Sequence, residues 1–204
     1  MKSVFTAMLS VLVAAPVFAL DIGESMPKVR NSLTNIDGTK ISLDEMKSDK
    51  GILVFFTCNH CPYSKAWEAR YTKLGNEMMK KGVKVVAINS NDPTKQKEDD
   101  IGPMKDKAKR LGMKFPYTVD ETSDFARSFG ATRTPEFFFF NGEGKLAYKG
   151  AFDDNAENAK GVKANYLRDA MTATMNKKAV KVAETKSIGC GIKFRERRRT
   201  ADIY

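Results

Sequence analysis

Apolar positions along this chain form unbroken runs in some places and one-sided periodic sets in others, and the two patterns predict different elements. Ile52 to Phe56 is a continuous run of β-branched and aromatic residues, the pattern of a strand buried on both faces. Val83 to Ile88 reads the same way. Between them Tyr63, Trp67, Tyr71, Leu74 and Met78 recur at spacings of four and three, so they share one helical face. Lys80, Lys81 and Gly82 suit the end of that helix. Strand, helix and strand together make a βαβ unit.

Shorter patterns fill in the rest. Val29 to Leu33 and Lys40 to Leu43, separated by Asp37-Gly38, predict a hairpin ahead of the first buried strand. Asn91 to Asp100 is polar, contains Asp92-Pro93 and is expected as a surface loop. Pro103 opens a helix with Met104, Ala108 and Leu111 on one side, and Gly112 ends it. Phe115 to Asp120 predicts a short extended piece, and Ser123 to Phe129 a brief helix stopped by Gly130. Pro135 is tolerated at the first position of a strand that continues through Phe137 to Phe140 and returns over Lys145 to Gly150. A last helix has Val162, Tyr166, Leu167, Ala170, Met171 and Thr174 inward. There is no internal repeat.

Length and composition change this picture little. A chain of 204 residues with 42% hydrophobic residues fits one ordinary globular domain with a proper core. The first residues stand apart: Lys2, the apolar segment Val4 to Ala15 and the small-residue site Val17-Phe18-Ala19 predict a signal peptide over residues 1–19. That segment falls short of the roughly 20 apolar residues that span a bilayer, an uncleaved anchor being the alternative. The expected location is therefore periplasmic or secreted, with no stable membrane insertion, in an oxidising compartment.

The net charge of +10 gathers toward the end. Lys178, Lys181, Lys186, Lys193, Arg195, Arg197, Arg198 and Arg199 outnumber Glu184 and Glu196. We divide the chain into a domain over residues 20–175 and a basic tail over 176–204, expected as a solvated, partly disordered end. Contact with anionic lipid or an acidic partner is the alternative. Nucleic acid is not expected, because the tail lacks the interleaved aromatics of a base-stacking surface.

The chemistry follows the first buried strand. Cys58 and Cys61, two residues apart, are succeeded by Pro62, which fits only the first turn of a helix. A helix start offers free N–H groups and the positive end of the dipole, and Cys58 is expected to have the lower thiol pKa. A structural cysteine pair is the alternative. His60, the only histidine, lies between the cysteines and would stabilise a thiolate as imidazolium. The third cysteine, Cys190, stands between Gly189 and Gly191 in the tail, and could resolve a disulfide with the pair, link two chains or be a small buried residue.

The stretches Phe-Phe-Thr-Cys-Asn-His-Cys-Pro-Tyr, Asn89 to Asp92, Phe115-Pro116-Tyr117, Tyr148-Lys149-Gly150 and Glu184 to Lys193 together resemble the thioredoxin superfamily. More closely they resemble its peroxiredoxin-like redoxin branch, of alkyl hydroperoxide reductase and thiol-specific antioxidant type, that carries a Cys-x-x-Cys. The resemblance implies an α/β, thioredoxin-like fold: a mixed sheet flanked by helices, with an N-terminal hairpin and Pro135 cis opposite the dithiol. It implies a thiol-disulfide oxidoreductase acting on protein or small-molecule thiols and disulfides with a redox partner, without cofactor or metal. Cys58 and Cys61 would be catalytic, His60, Thr134 and Pro135 supporting, and Cys190, in a defined position, a candidate third redox cysteine with the alternatives above still open.

Two other functions compete. A thiol-dependent peroxidase of this branch needs Pro-x-x-x-Thr-x-x-Cys, but counting back from Cys61 meets Cys58 and Val54, and from Cys58 meets Phe55 and Gly51. A redox-silent or metal-binding module on the same scaffold would have Cys58, Cys61, Cys190 and His60 as its soft ligands. Covalent haem would need His in place of Pro62.

Overall fold

The computed structural model describes residues 20–196. The proposed signal segment and Arg197, Arg198 and Arg199 lie outside the described residues. None of the described helices is long and apolar enough to cross a membrane.

The unbroken apolar runs form the centre of the sheet. Strand β3 (Ile52–Phe56) is buried at every position, pairs in parallel with β4 (Lys84–Asn89) and pairs antiparallel with β7 (Glu136–Phe140). Outward from these lie β5 (Tyr117–Val119) and the hairpin of β1 (Leu33–Asn35) with β2 (Lys40–Ile41) on one side, and β8 (Leu146–Gly150) on the other. The order is β2-β1-β5-β4-β3-β7-β8, a seven-stranded mixed sheet.

Because side chains alternate across a strand, each central strand feeds two cores. Leu53, Phe55, Val85, Ala87, Phe137 and Phe139 face one side, where α1 (Pro62–Lys80), α2 (Ile101–Leu111) and α4 (Tyr166–Met175) contribute Trp67, Leu74, Met104 and Leu167. Ile52, Val54, Phe56, Ile88, Phe138 and Phe140 face the other, under α3 (Asp124–Phe129). There Phe129 meets Phe138 and Phe140 edge to face at 5.5 and 5.8 Å, a favoured aromatic geometry.

Helix α1 ends as its sequence requires. Gly82 takes a φ of +90°, and the Val83 amide returns to the Met78 carbonyl at 3.1 Å, turning the chain directly into β4.

Several expectations need correction. The first hairpin strand falls at Leu33–Asn35, later than expected, because β5 offers its edge there: Thr34 pairs with Val119 and Asn35 with Thr118. Tyr63 is exposed rather than inward, tilted over Trp67 at the start of α1. Val162 precedes α4, and Tyr166 and Thr174 are only half-buried on it. The segment Asn91 to Asp100 is not wholly a surface loop, since Asn91 and Asp99 are buried.

The larger correction concerns the end of the chain. Up to Glu196 it is not a free solvated tail but a strap laid back over the domain. The Thr185 amide donates to the Lys149 carbonyl, Ile192 is buried in the second core, and the Lys193 amide donates to Asn91 Oδ1 at 2.7 Å. In between, β9 (Cys190–Gly191) pairs antiparallel with β6 (Arg133–Thr134), the two residues that precede Pro135.

Candidate active site

Strand register determines what meets at this end of the sheet. Phe56 pairs with Ile88 on β4 and with Glu136 on β7, so the loops that follow β3 and β4 converge with the loop that enters β7. Open α/β sheets place ligands at the carboxyl ends of their parallel strands. Here that end carries Cys58 to Cys61 from the first loop, Asn89 to Asp99 from the second, and Thr134 with a cis peptide bond to Pro135 from the third.

Both cysteines of the pair are fully buried, at 0% exposure. Cys61 is the N-cap of α1 and Pro62 opens the helix, as the motif predicts. Cys58 Sγ lies 3.1 Å from Thr134 Oγ1 and 3.8 Å from Ser64 Oγ. The Cys61 thiol meets the Thr134 carbonyl at 3.0 Å, and its sulfur receives the Cys190 amide N–H at 3.4 Å. Thr134 thus touches both sulfurs.

The two thiols ionise unequally. The neighbouring Cys58 thiol brings Cys61 down to about 4 against the opposing cost of its burial; Cys190 and the Ser64 amide add to the effect. The Cys61 sulfur in turn pushes Cys58 up, reinforced by its burial and by the nearby Asp99 carboxylate. Ionisation of the pair is thus favoured at the Cys61 end, where it gives up the hydrogen bond to the Thr134 carbonyl. The cause is position: the helix begins at Cys61, while Cys58 lies a full turn before it beside a carboxylate.

That carboxylate is the main residue the sequence did not reveal. Asp99 accepts from the Asn59 amide at 2.6 Å, from His60 Nδ1 at 2.6 Å and from Asn91 Nδ2 at 2.8 Å. The bond assigns the imidazole proton to Nδ1. A sulfur, a ring nitrogen and a carboxylate oxygen from Cys58, His60 and Asp99 lie within 4.8 Å of one another. These are metal-capable donors, but Asp99 already accepts three hydrogen bonds from the protein. Lys107 was missed as well: it is buried on α2, donates to the Cys58 carbonyl at 2.8 Å and pairs with Glu68 at 3.4 Å. Tyr117 donates to Asn59 Oδ1 at 2.9 Å and fixes the turn from its other side. The only sequence signal for Asp99 was its place in Asp99-Asp100 ahead of α2: Asp100 caps the helix, which leaves Asp99 free to turn inward.

Of the residues named from sequence, Cys58, Cys61, His60, Thr134, Pro135 and Cys190 all come to this one end of the molecule. Cys190 approaches through β9, opposite Thr134 in register. Its thiol is pushed up to about 11 by its own burial and then by the adjacent Cys61 sulfur.

A dithiol at a helix start, on a sheet of this order, beside a cis proline, defines a thioredoxin-like protein. The chain belongs to the Redoxin family, whose signature matches residues 21–166. It is similar to an uncharacterised conserved protein of Geobacillus kaustophilus, with 38% identity and a TM-score of 0.80 over 86% of this chain and 93% of that one. A thioredoxin-like protein solved in its oxidised form has a TM-score of 0.60 at 16% identity, covering 76% of this chain and 97% of the other, and supports the fold. Among curated relatives, the thiol-disulfide oxidoreductase ResA of Bacillus thuringiensis is 25% identical over 127 residues, 62% of this chain and 68% of that protein.

Proposed function

We propose that this protein is a thiol-disulfide oxidoreductase that works outside the cytoplasm, exchanging disulfides with protein or small-molecule thiols through Cys58 and Cys61. The observation that carries the reading is a buried dithiol at a helix N-terminus with Thr134 in contact with both sulfurs, an arrangement that lowers Cys61. A thiolate present at neutral pH is both a nucleophile and a good leaving group.

In the reducing direction the Cys61 thiolate attacks a disulfide sulfur, forming a mixed disulfide and releasing one partner thiolate. Cys58 then attacks Cys61 Sγ, the second partner leaves as thiolate, and the Cys58–Cys61 disulfide remains. Cys58 must lose its proton in that step. The departing partner thiolate is the base that takes it up, so protons and charge balance. With electrons moving the other way, the same pair oxidises a dithiol.

The signal segment expected over residues 1–19 supports a periplasmic or secreted location. The missing Pro and Thr positions of the peroxidase motif place peroxide reduction second. The experiment is reduction of glutathione disulfide in the presence of a dithiol donor, run beside hydrogen peroxide as a competing substrate. Exchange lost in Cys61→Ser, with little peroxide consumed, supports the reading. Rapid peroxide consumption lost in the same variant would replace it with the peroxidase.

A further inference from the structure

The Cys58–Cys61 pair is sealed from solvent, yet a disulfide exchanger has to meet its clients. Neither sulfur of the pair is exposed, while Cys190 is partly exposed and its backbone touches the Cys61 sulfur. The strap that carries it is built to stay there. Arg133 Nη1 donates to the Gly189 carbonyl at 2.9 Å, Ser187 Oγ to Glu136 Oε1 at 2.9 Å, and the Ile192 amide to the Thr132 carbonyl at 2.9 Å. Gly189 lies so close to the Thr134 carbonyl that a Cβ there would stand 2.2 Å from its oxygen. Such closeness sets Cys190 beside Cys61 in fixed register.

We propose that Cys190 is the third redox cysteine of this site, taking the disulfide from the buried pair to the surface as a Cys61–Cys190 bond and meeting the client thiol there. The proposal rests on the exchange reading above. In the transfer step Cys190, as thiolate, attacks Cys61 Sγ. The Cys58–Cys61 bond breaks, its electron pair goes to Cys58 Sγ, and Cys58 takes up the proton that Cys190 gave up. The number of disulfides is unchanged, so no outside oxidant enters. A client thiolate then attacks Cys190 Sγ, and Cys61 departs as the stabilised thiolate, the favoured leaving group. The client's second thiol attacks its own sulfur in the resulting mixed disulfide, releasing Cys190 and leaving the client oxidised. Two of the influences that hold the Cys190 thiol up come from the Cys61 sulfur in its reduced form, and they lapse once Cys61 is in a disulfide.

The test has two arms on the full chain. Cys58→Ser is equilibrated in glutathione buffers, and its disulfides are mapped by mass spectrometry after acid quench. The expected product is a Cys61–Cys190 disulfide, which a merely structural Cys190 would not form. In the second arm, oxidation of reduced glutathione by preoxidised protein is timed for the wild type and for Cys190→Ser, with a thermal melt to show that the variant is folded. The expected result is at least a tenfold slowing while the Cys58–Cys61 disulfide still forms. Absence of the Cys61–Cys190 bond, or an unchanged rate in Cys190→Ser, overturns the relay while leaving the exchange reading standing. A wild type that exchanges with glutathione at no ratio overturns both.

Discussion

At the residue scale, the consequence of one shared proton is a redox potential with a shallow pH dependence. With Cys61 lowered to about 4, the reduced pair should carry one proton and one negative charge between its two sulfurs above that pH. Reduction then takes up two electrons and one proton. The potential should fall by about 30 mV per pH unit between roughly pH 5 and pH 8, half the slope of a pair that binds two protons. Measurement in glutathione buffers across that range checks this, and a slope near 60 mV would place both protons on the reduced pair. The same shift has a stability sign. Cys61 is depressed on folding from its ordinary value of 9.0 to about 4, so its ionisation stabilises the reduced protein fully above about 9. That contribution declines as pH falls and is gone below about 4.

His60 acts through Asp99. Removing the imidazole leaves a buried carboxylate with one hydrogen bond fewer, beside Cys58. His60→Ala should therefore disfavour the reduced thiolate pair and lower its potential. An unchanged equilibrium with glutathione would show that the Asp99 charge is compensated by Asn59 and Asn91 alone. This dependence was half legible in the sequence: His60 announced itself between the cysteines, but its partner lay 39 residues on, in a stretch whose polarity fitted a surface loop equally well. Polarity shows that a segment can live in water and does not show that it must.

At the scale of elements, the unbroken apolar runs and the helical faces were read well because burial on both sides of a strand leaves little choice of residue. The four phenylalanines of β7 divide between the two cores, with Phe137 and Phe139 on one side and Phe138 and Phe140 on the other. Phe138→Ala should cost about 3–5 kcal/mol, read from denaturant unfolding of the reduced protein, since its cavity opens against Phe56 and Phe129. Elements held by pairing were read less well. β1 was misplaced because its position depends on β5, and β6 and β9 are each only two residues long, too short for any periodicity to register. Gly189 is the residue that lets β9 close on β6. Gly189→Val should lift the strap, destabilise the fold modestly and make Cys61 react with iodoacetamide. A Cys61 still protected in the folded variant would mean that something other than the strap seals it.

At the scale of the whole molecule, the end of the chain returns to the beginning of the chemistry. The run of basic charge suggested a hydrated tail, and it was a poor guide because the strap is held by its backbone together with Thr185, Ser187 and Ile192 rather than by its lysines. The Lys193 and Arg195 amides donate to Asn91 and Ser123 with no use of their charges. Sequence resemblance indicated that Glu184 to Lys193 belonged with the motif at Cys58. Only the backbone pairing of β6 with β9 shows how the two meet.

The molecule as a whole is thus a thioredoxin-like sheet whose reactive end is closed by its own C-terminal strap. The most direct measurement of its chemistry is a glutathione redox titration of the wild-type protein with mass mapping of Cys58, Cys61 and Cys190 at each point. A reversible two-electron transition, with Cys58–Cys61 as the principal disulfide and a minor Cys61–Cys190 species beside it, is the predicted result. Three thiols that stay reduced at every glutathione ratio, or a disulfide that forms and cannot be reduced again, would contradict it.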